Sequence, residues 1–367
     1  MRSYLQKSAR KDIGELISYK PGKPAQELAR ELGLRNVIKL ASNENPFGPS
    51  KKVRSVLRKA ISQINRYPLN DCFYLRAKLS DTLGVSPYSL MFGNGSDEII
   101  VLVLKAFLNP GEKVVVAHPT FLMYGIASRY YRAKVSQVPM KDFKYDLKSM
   151  LDEVDEDTKI VFIANPDNPT GSYVSRDELE DFLDKLPEGV IAYLDEAYLE
   201  YVDARNFPDS LRLLEKHPNL IISRTFSKAY GLAGLRIGYG IADSELITLI
   251  SRIQEPFSVN SLAQIAAETA LDDKKYLNFV TSTTRKEKEF LRKNFSSMGF
   301  EVLPSQTNFL TVKIGSYAPE LEKKLLRSGF IVRNMKSWGM SDFLRVTVGI
   351  PKENRKLIKA LRKNLKT

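Results

Sequence analysis

Cysteine, histidine and tryptophan are nearly missing from this sequence, and two of these scarcities exclude whole classes of chemistry. The single cysteine, Cys72, permits no internal disulfide, which fits a reducing cytosol and a cytoplasmic protein. Two histidines, His118 and His217, cannot build a histidine-rich centre, and no metal is expected. Long apolar runs are also missing. One of the longest, 99–108, is broken by Lys105 and falls well short of a bilayer span. Residues 1–7 hold no apolar block of the kind that opens a signal peptide, so no membrane association is expected.

At 367 residues, one large domain with a lesser companion is the natural division. The net charge of +13 is unevenly spread: residues 281–367 carry 19 Lys/Arg against 7 Asp/Glu. Such a face is either simply solvated or a field that draws in small anions. It has no interleaved aromatics, so nucleic-acid binding is not expected.

Between residues 50 and 270, short apolar runs alternate with amphipathic stretches. Buried strands are expected at 113–117, 160–164, 190–194, 220–223 and 237–241, with helices at 97–108, 176–185 and 210–216. That alternation predicts an α/β fold around a mostly parallel sheet. From about residue 275 the texture changes to a long charged helix, 276–295, and strands near 309–314 and 344–348. This reads as a smaller α+β domain.

In such sheets ligands bind beyond the carboxyl ends of the strands, and that is where the polar clusters fall. Asn165-Pro166-Asp167-Asn168-Pro169-Thr170-Gly171 follows one strand, and Asp195-Glu196-Ala197-Tyr198 the next. Arg224-Thr225-Phe226-Ser227-Lys228 and Gly231-Leu232-Ala233-Gly234-Leu235-Arg236 follow a third. Singly, each is a turn, a helix cap or a surface lysine. The glycine spacing does not match a dinucleotide loop. Together they would gather an amide, a carboxylate, a phenol, a lysine and an arginine.

That combination, over nearly the whole chain, resembles the fold-type-I aminotransferases that use pyridoxal 5′-phosphate (PLP). The resemblance implies a large cofactor domain at 46–274, a small domain at 275–367 and an N-terminal arm, 1–45, packed with the small domain. It implies that Lys228 carries the cofactor and then serves as the base. Asp195 would pair with the ring nitrogen. Asn168 and Tyr198 would bond the ring oxygen. Gly95, Ser96 and Asp97, at a helix start, would hold the phosphate together with Thr225, Ser227 and Arg236. Phe121 would stack on the ring, with Tyr124 as a competitor.

Within these enzymes the chain is most similar to the histidinol-phosphate aminotransferases. Ser42-Asn43-Glu44-Asn45-Pro46-Phe47-Gly48, Asn65-Arg66-Tyr67-Pro68, Val332-Arg333-Asn334 and Leu344-Arg345-Val346-Thr347-Val348-Gly349 carry that likeness. It implies transamination of small anionic substrates by a homodimer, in which Tyr67 reaches the neighbour's cofactor phosphate. Arg345 would take an α-carboxylate, Arg333 a phosphate or side-chain carboxylate, and Tyr19 and Asn43 would line the substrate pocket. Two departures stand out: Asp167 where asparagine is common, and Trp338-Gly339 where a tyrosine-glycine pair is more usual. An aromatic-amino-acid aminotransferase and a phosphothreonine decarboxylase-like enzyme share every cofactor residue. A regulatory nucleic-acid-binding protein on this fold would need an added domain, for which there is no room ahead of Ser42.

Overall fold

The computed structural model describes residues 8–10, 13–14, 16, 22–34 and 36–365. Its strands, in chain order, begin with β1 (Ile38–Lys39), β2 (Leu90–Gly93), β3 (Lys113–His118), β4 (Lys134–Pro139) and β5 (Thr158–Ala164). They continue with β6 (Ile191–Asp195), β7 (Leu220–Thr225), β8 (Gly238–Ala242) and β9 (Glu301–Val302). The last four are β10 (Phe309–Lys313), β11 (Phe330–Ile331), β12 (Arg333–Asn334) and β13 (Phe343–Thr347).

Seven strands form one sheet in the order β2-β8-β7-β6-β5-β3-β4, and only β8 runs against its neighbours. Side-chain alternation splits the central strands between two cores. Val115, Val161, Ala192, Leu194 and Ile222 pack on one face, and Val116, Phe162, Tyr193 and Ile221 on the other. Burial of both faces is what β-branched runs without alternating polarity require. Each such buried side chain contributes about 1.5–3 kcal/mol.

The five expected strands and the helices Ser96–Phe107 and Arg176–Lys185 form close to their expected positions. The helix expected at 210–216 is confined to Ser210–Leu213, with Pro218 soon after to end any continuation. Two strands of this sheet were missed. β2 is only four residues long, and β4 is polar and partly exposed at the sheet edge.

A second, antiparallel sheet runs β12-β13-β10-β9. The long helix Lys274–Ser297 and the helix Pro351–Leu365 pack against it through Leu291, Phe295, Leu357 and Leu361. Leu28, Ala41 and β1 join this part, since β1 pairs in parallel with β11 and Leu28 and Ala41 pack on Ile331.

Register sets up the site. Asp195, the last residue of β6, lies between Ala164 of β5 and Ser223 of β7. Gly93 at the end of β2 and Thr225 at the end of β7 both pair with Gly238. The loops after β2, β5, β6 and β7 therefore open at one edge, as the parallel arrangement demands.

Candidate active site

A cavity of about 300 Å³ lies beyond those strand ends. Lys228, Asp195, Tyr198 and Asn168 line it. So do Phe121, Ser96, Asp97, Thr225, Ser227 and Arg236. The lysine Nζ sits 5.6 Å from the centroid of the Tyr198 ring.

Asp195 is buried, and burial pushes its carboxyl up to about 6. Two donors oppose that shift: the Tyr124 hydroxyl donates to Oδ2 at 2.8 Å, and the Ala197 N–H to Oδ1 at 3.0 Å. At neutral pH the carboxylate is the main form. Tyr124 is itself fully buried, stacked on Phe162, with its phenol raised well above the usual range by burial. Its hydroxyl is committed to the carboxylate, and both Tyr124 and Phe121 lie in the cavity wall.

Tyr198 is likewise buried, and its phenol is pushed up to about 12, mainly by burial. Asn43 Nδ2 donates to its oxygen at 2.8 Å, so the phenolic hydrogen can point elsewhere. Asn43 also bonds Thr347 of β13, through its N–H at 2.9 Å and its Oδ1 at 3.1 Å. It thereby ties the phenol to the small sheet rather than lining the cavity itself.

The helix Ser96–Phe107 points its N-terminus at the cavity, with Gly95 as its cap at φ +83°. That backbone conformation favours glycine, and a Cβ at residue 95 would also crowd the Arg236 guanidinium, 2.4 Å from Nη2. Arg236 is itself left-handed, at φ +56°, and donates to Asp97 Oδ2 at 3.2 Å and to the Ala233 carbonyl at 3.2 Å. Thr225 and Ser227 are buried beside it, with their hydroxyls 3.0 Å apart. Helix amides, hydroxyls and a guanidinium in one place make an anion cradle.

Arg345 is 5% exposed and donates to Asn168 Oδ1 and to the Ala41 carbonyl. Arg333 stands directly opposite it across the β12–β13 pair. Tyr67 is 83% exposed, away from the cavity, and stacks on Phe257 at 4.8 Å. Tyr19 lies outside the described residues.

Three participants escaped the sequence reading: Tyr124 as the partner of Asp195, Asn43 as the partner of Tyr198, and the Asp167 network. The Asp167 carboxylate is fully buried and accepts from Thr120 Oγ1 at 2.7 Å and from Thr170 N and Oγ1 at 3.0 and 2.8 Å. Burial raises it to about 6. A carboxylate is tolerated at this position because every neighbour is a donor.

Cavity, cradle and buried carboxylate fit a phosphorylated ring cofactor with a basic ring nitrogen. The chain belongs to the class I and II aminotransferases, whose family model matches residues 35–361. It is 42% identical to histidinol-phosphate aminotransferase 2 of Carboxydothermus hydrogenoformans, over 96% of this chain and 98% of that one. It is 43% identical to histidinol-phosphate aminotransferase of Moorella thermoacetica, over 97% and 92%. The fold superposes on the histidinol-phosphate aminotransferase of Sinorhizobium meliloti in complex with pyridoxal 5′-phosphate with a TM-score of 0.91. That pair shares 28% identity and covers 98% of both chains. Among the described residues no helix is long and apolar enough to cross a membrane.

Proposed function

We propose that this chain is a pyridoxal-phosphate-dependent aminotransferase that interconverts histidinol phosphate and 2-oxoglutarate with imidazole-acetol phosphate and glutamate, in histidine biosynthesis. The observation that carries the reading is the meeting of Lys228, Asp195 and the Ser96–Thr225–Ser227–Arg236 cradle in one cavity, with two arginines paired on the adjoining sheet.

Bound pyridoxal phosphate supplies an electron sink for negative charge at the substrate α-carbon. Lys228 would hold the cofactor through its amine and would serve as the base that takes the proton from the substrate Cα. Asp195, ionised at neutral pH, keeps the ring nitrogen protonated, and Tyr124 keeps that carboxylate aimed and charged. Tyr198 stays protonated and, with its oxygen already satisfied by Asn43, directs its hydrogen to the ring oxygen beside Asn168. Gly95, Ser96 and Asp97 offer helix-terminal amides to the phosphate, while Thr225, Ser227 and Arg236 complete its shell. Phe121, in the cavity wall, would lie against the ring.

Arg345 takes the α-carboxylate of the amino-acid substrate, and Arg333 takes the phosphate or the distal carboxylate. One pocket thus serves two different anions in successive half-reactions. The working unit is a cytoplasmic homodimer in which Tyr67 reaches the neighbouring cofactor's phosphate. The exposed apolar side chains Ile61, Ile64, Tyr67 and Phe257 support that reading. The arm, large and small domains divide at residues 45 and 274.

The test is to add L-histidinol phosphate, without acceptor, to the cofactor-loaded protein. Rapid loss of the visible cofactor band, much slower with L-phenylalanine, is the expected result. Equal rates would leave the cofactor assignments standing and remove the phosphate preference. Protein that takes up no cofactor would overturn the reading altogether.

A further inference from the structure

Asp167 takes no part in the transamination chemistry, yet it stands between two turns that both supply the cavity wall. Its Oδ1 accepts from Thr120 Oγ1 at 2.7 Å and from the Tyr145 hydroxyl at 3.3 Å, and Thr120 directly precedes Phe121. Its Oδ2 accepts from Thr170 N and Oγ1 at 3.0 and 2.8 Å, and Asp167 itself directly precedes Asn168. One side chain thus joins the turn that carries the Phe121 ring to the turn that carries the Asn168 amide.

The four donors described on this carboxylate are all neutral, and the side chain is fully buried. Hydrogen bonds satisfy its lone pairs without cancelling its charge, and in a low-dielectric interior that charge carries further than in water. Burial raises the acid only to about 6, so at neutral pH the carboxylate is the main form. The Tyr145 phenol is raised well above the usual range, by burial first and then by Asp167, and it stays neutral. The same charge is felt on the Tyr198 side of the pocket. Burial does most to raise the Tyr198 phenol; Arg345 pulls it down, and Asp195 and Asp167 push it further up.

We propose that Asp167 is a positioning residue that works through its charge: its carboxylate makes the side of the pocket lined by Asn168 and Tyr198 more negative than asparagine would, so the nitrogen joining Lys228 to the cofactor keeps its proton to a higher pH. The inference rests on the reading of Lys228, Asn168 and Tyr198 as cofactor residues. A cationic nitrogen is stabilised by a nearby fixed negative charge, and a neutral amide of the same shape does not replace that effect. An amine attacks such a link most readily when its nitrogen is protonated. The acid therefore widens the pH range over which the enzyme is ready for its amino-acid substrate.

The experiment compares wild type, Asp167→Asn and Asp167→Ala, each loaded with pyridoxal phosphate and with no substrate present. The visible cofactor band is followed over a pH series, and the midpoint of its change reports the proton on that nitrogen. The midpoint should fall by about half a unit or more in Asp167→Asn, and by a similar amount in Asp167→Ala. Asparagine keeps the hydrogen-bonding shape, so a role confined to bracing the two turns would leave its midpoint at the wild-type value. An unmoved midpoint in Asp167→Asn, or a fall in Asp167→Ala alone, would overturn the proposal.

Melting curves on the same samples identify folded protein, and Asp167→Asn decides the question if Asp167→Ala does not fold. Wild-type protein that takes up no cofactor would sink the cofactor reading and this inference together. A band that forms but titrates alike in wild type and Asp167→Asn would sink this inference alone.

Discussion

At the carboxyl ends of the seven-stranded sheet the charged groups that matter are mostly acids sunk into the protein; on the four-stranded sheet they are arginines laid against rings. Asp195 and Asp167 are both buried, both raised to about 6, and both surrounded by donors. Glu196, buried as well, is paired with Arg224 at 2.8 Å. Arg345 lies over Phe309 and Trp338, and Arg333 over Trp338. The difference teaches where pH can act. A buried carboxylate titrates near the physiological range, whereas a guanidinium keeps its charge throughout. The cofactor side is thus open to tuning by pH, and the substrate side by geometry.

The comparison breaks most visibly at Lys228. Lys228→Ala should lower turnover by about ten-thousandfold, with thermal stability near wild type in a melting experiment. Asp195→Asn should follow, with a loss on the order of 10²–10³-fold in kcat at pH 7.5, because a neutral amide cannot hold a protonated ring nitrogen. On the opposite side, Arg333→Gln should raise KM for histidinol phosphate by about tenfold to a hundredfold while sparing L-phenylalanine. Steady-state kinetics on both substrates separates this pattern from a general loss.

Tyr124→Phe sharpens the picture more gently. It removes a hydrogen bond that lowers the Asp195 pKa, so the acid limb of the kcat profile should move upward from its wild-type position. A pH profile that does not move would show that Tyr124 does not govern this carboxylate.

Asp167 supplies the smallest effect, and a sign that is easily mistaken. Its folded pKa, about 6, exceeds the ordinary 3.8, so the folded state holds its proton more tightly. The resulting stability is present below pH 4 and is lost as pH rises through 6, a loss of up to about 3 kcal/mol. Asp167→Asn should therefore melt at or above the wild-type temperature at pH 8, with the advantage closing by pH 4.5. The Thr120 and Tyr145 hydroxyls, 2.6 Å apart, can turn to accept from the new amide.

How much of the site was legible depended on the range of the interaction. Lys228, Tyr198 and Asn168 each follow a strand by a few residues and Asp195 ends one, so strand prediction alone placed them at one edge. Tyr124 reaches Asp195 across 71 positions, and Asn43 reaches Tyr198 across 155, and no local pattern encodes such pairs. The helix 210–216 was overextended because its apolar spacing ran past the point where the chain turns toward β7.

Composition and strand-end spacing were enough to determine an α/β sheet with a polar cluster at its carboxyl edge, since period and turn chemistry are local properties of the chain. Only the tertiary structure decided which donors satisfy the buried acids and which ring lies beneath two arginines. Those outcomes depend on register between distant strands, where a shift of one residue would turn Arg333 or Arg345 to the opposite face.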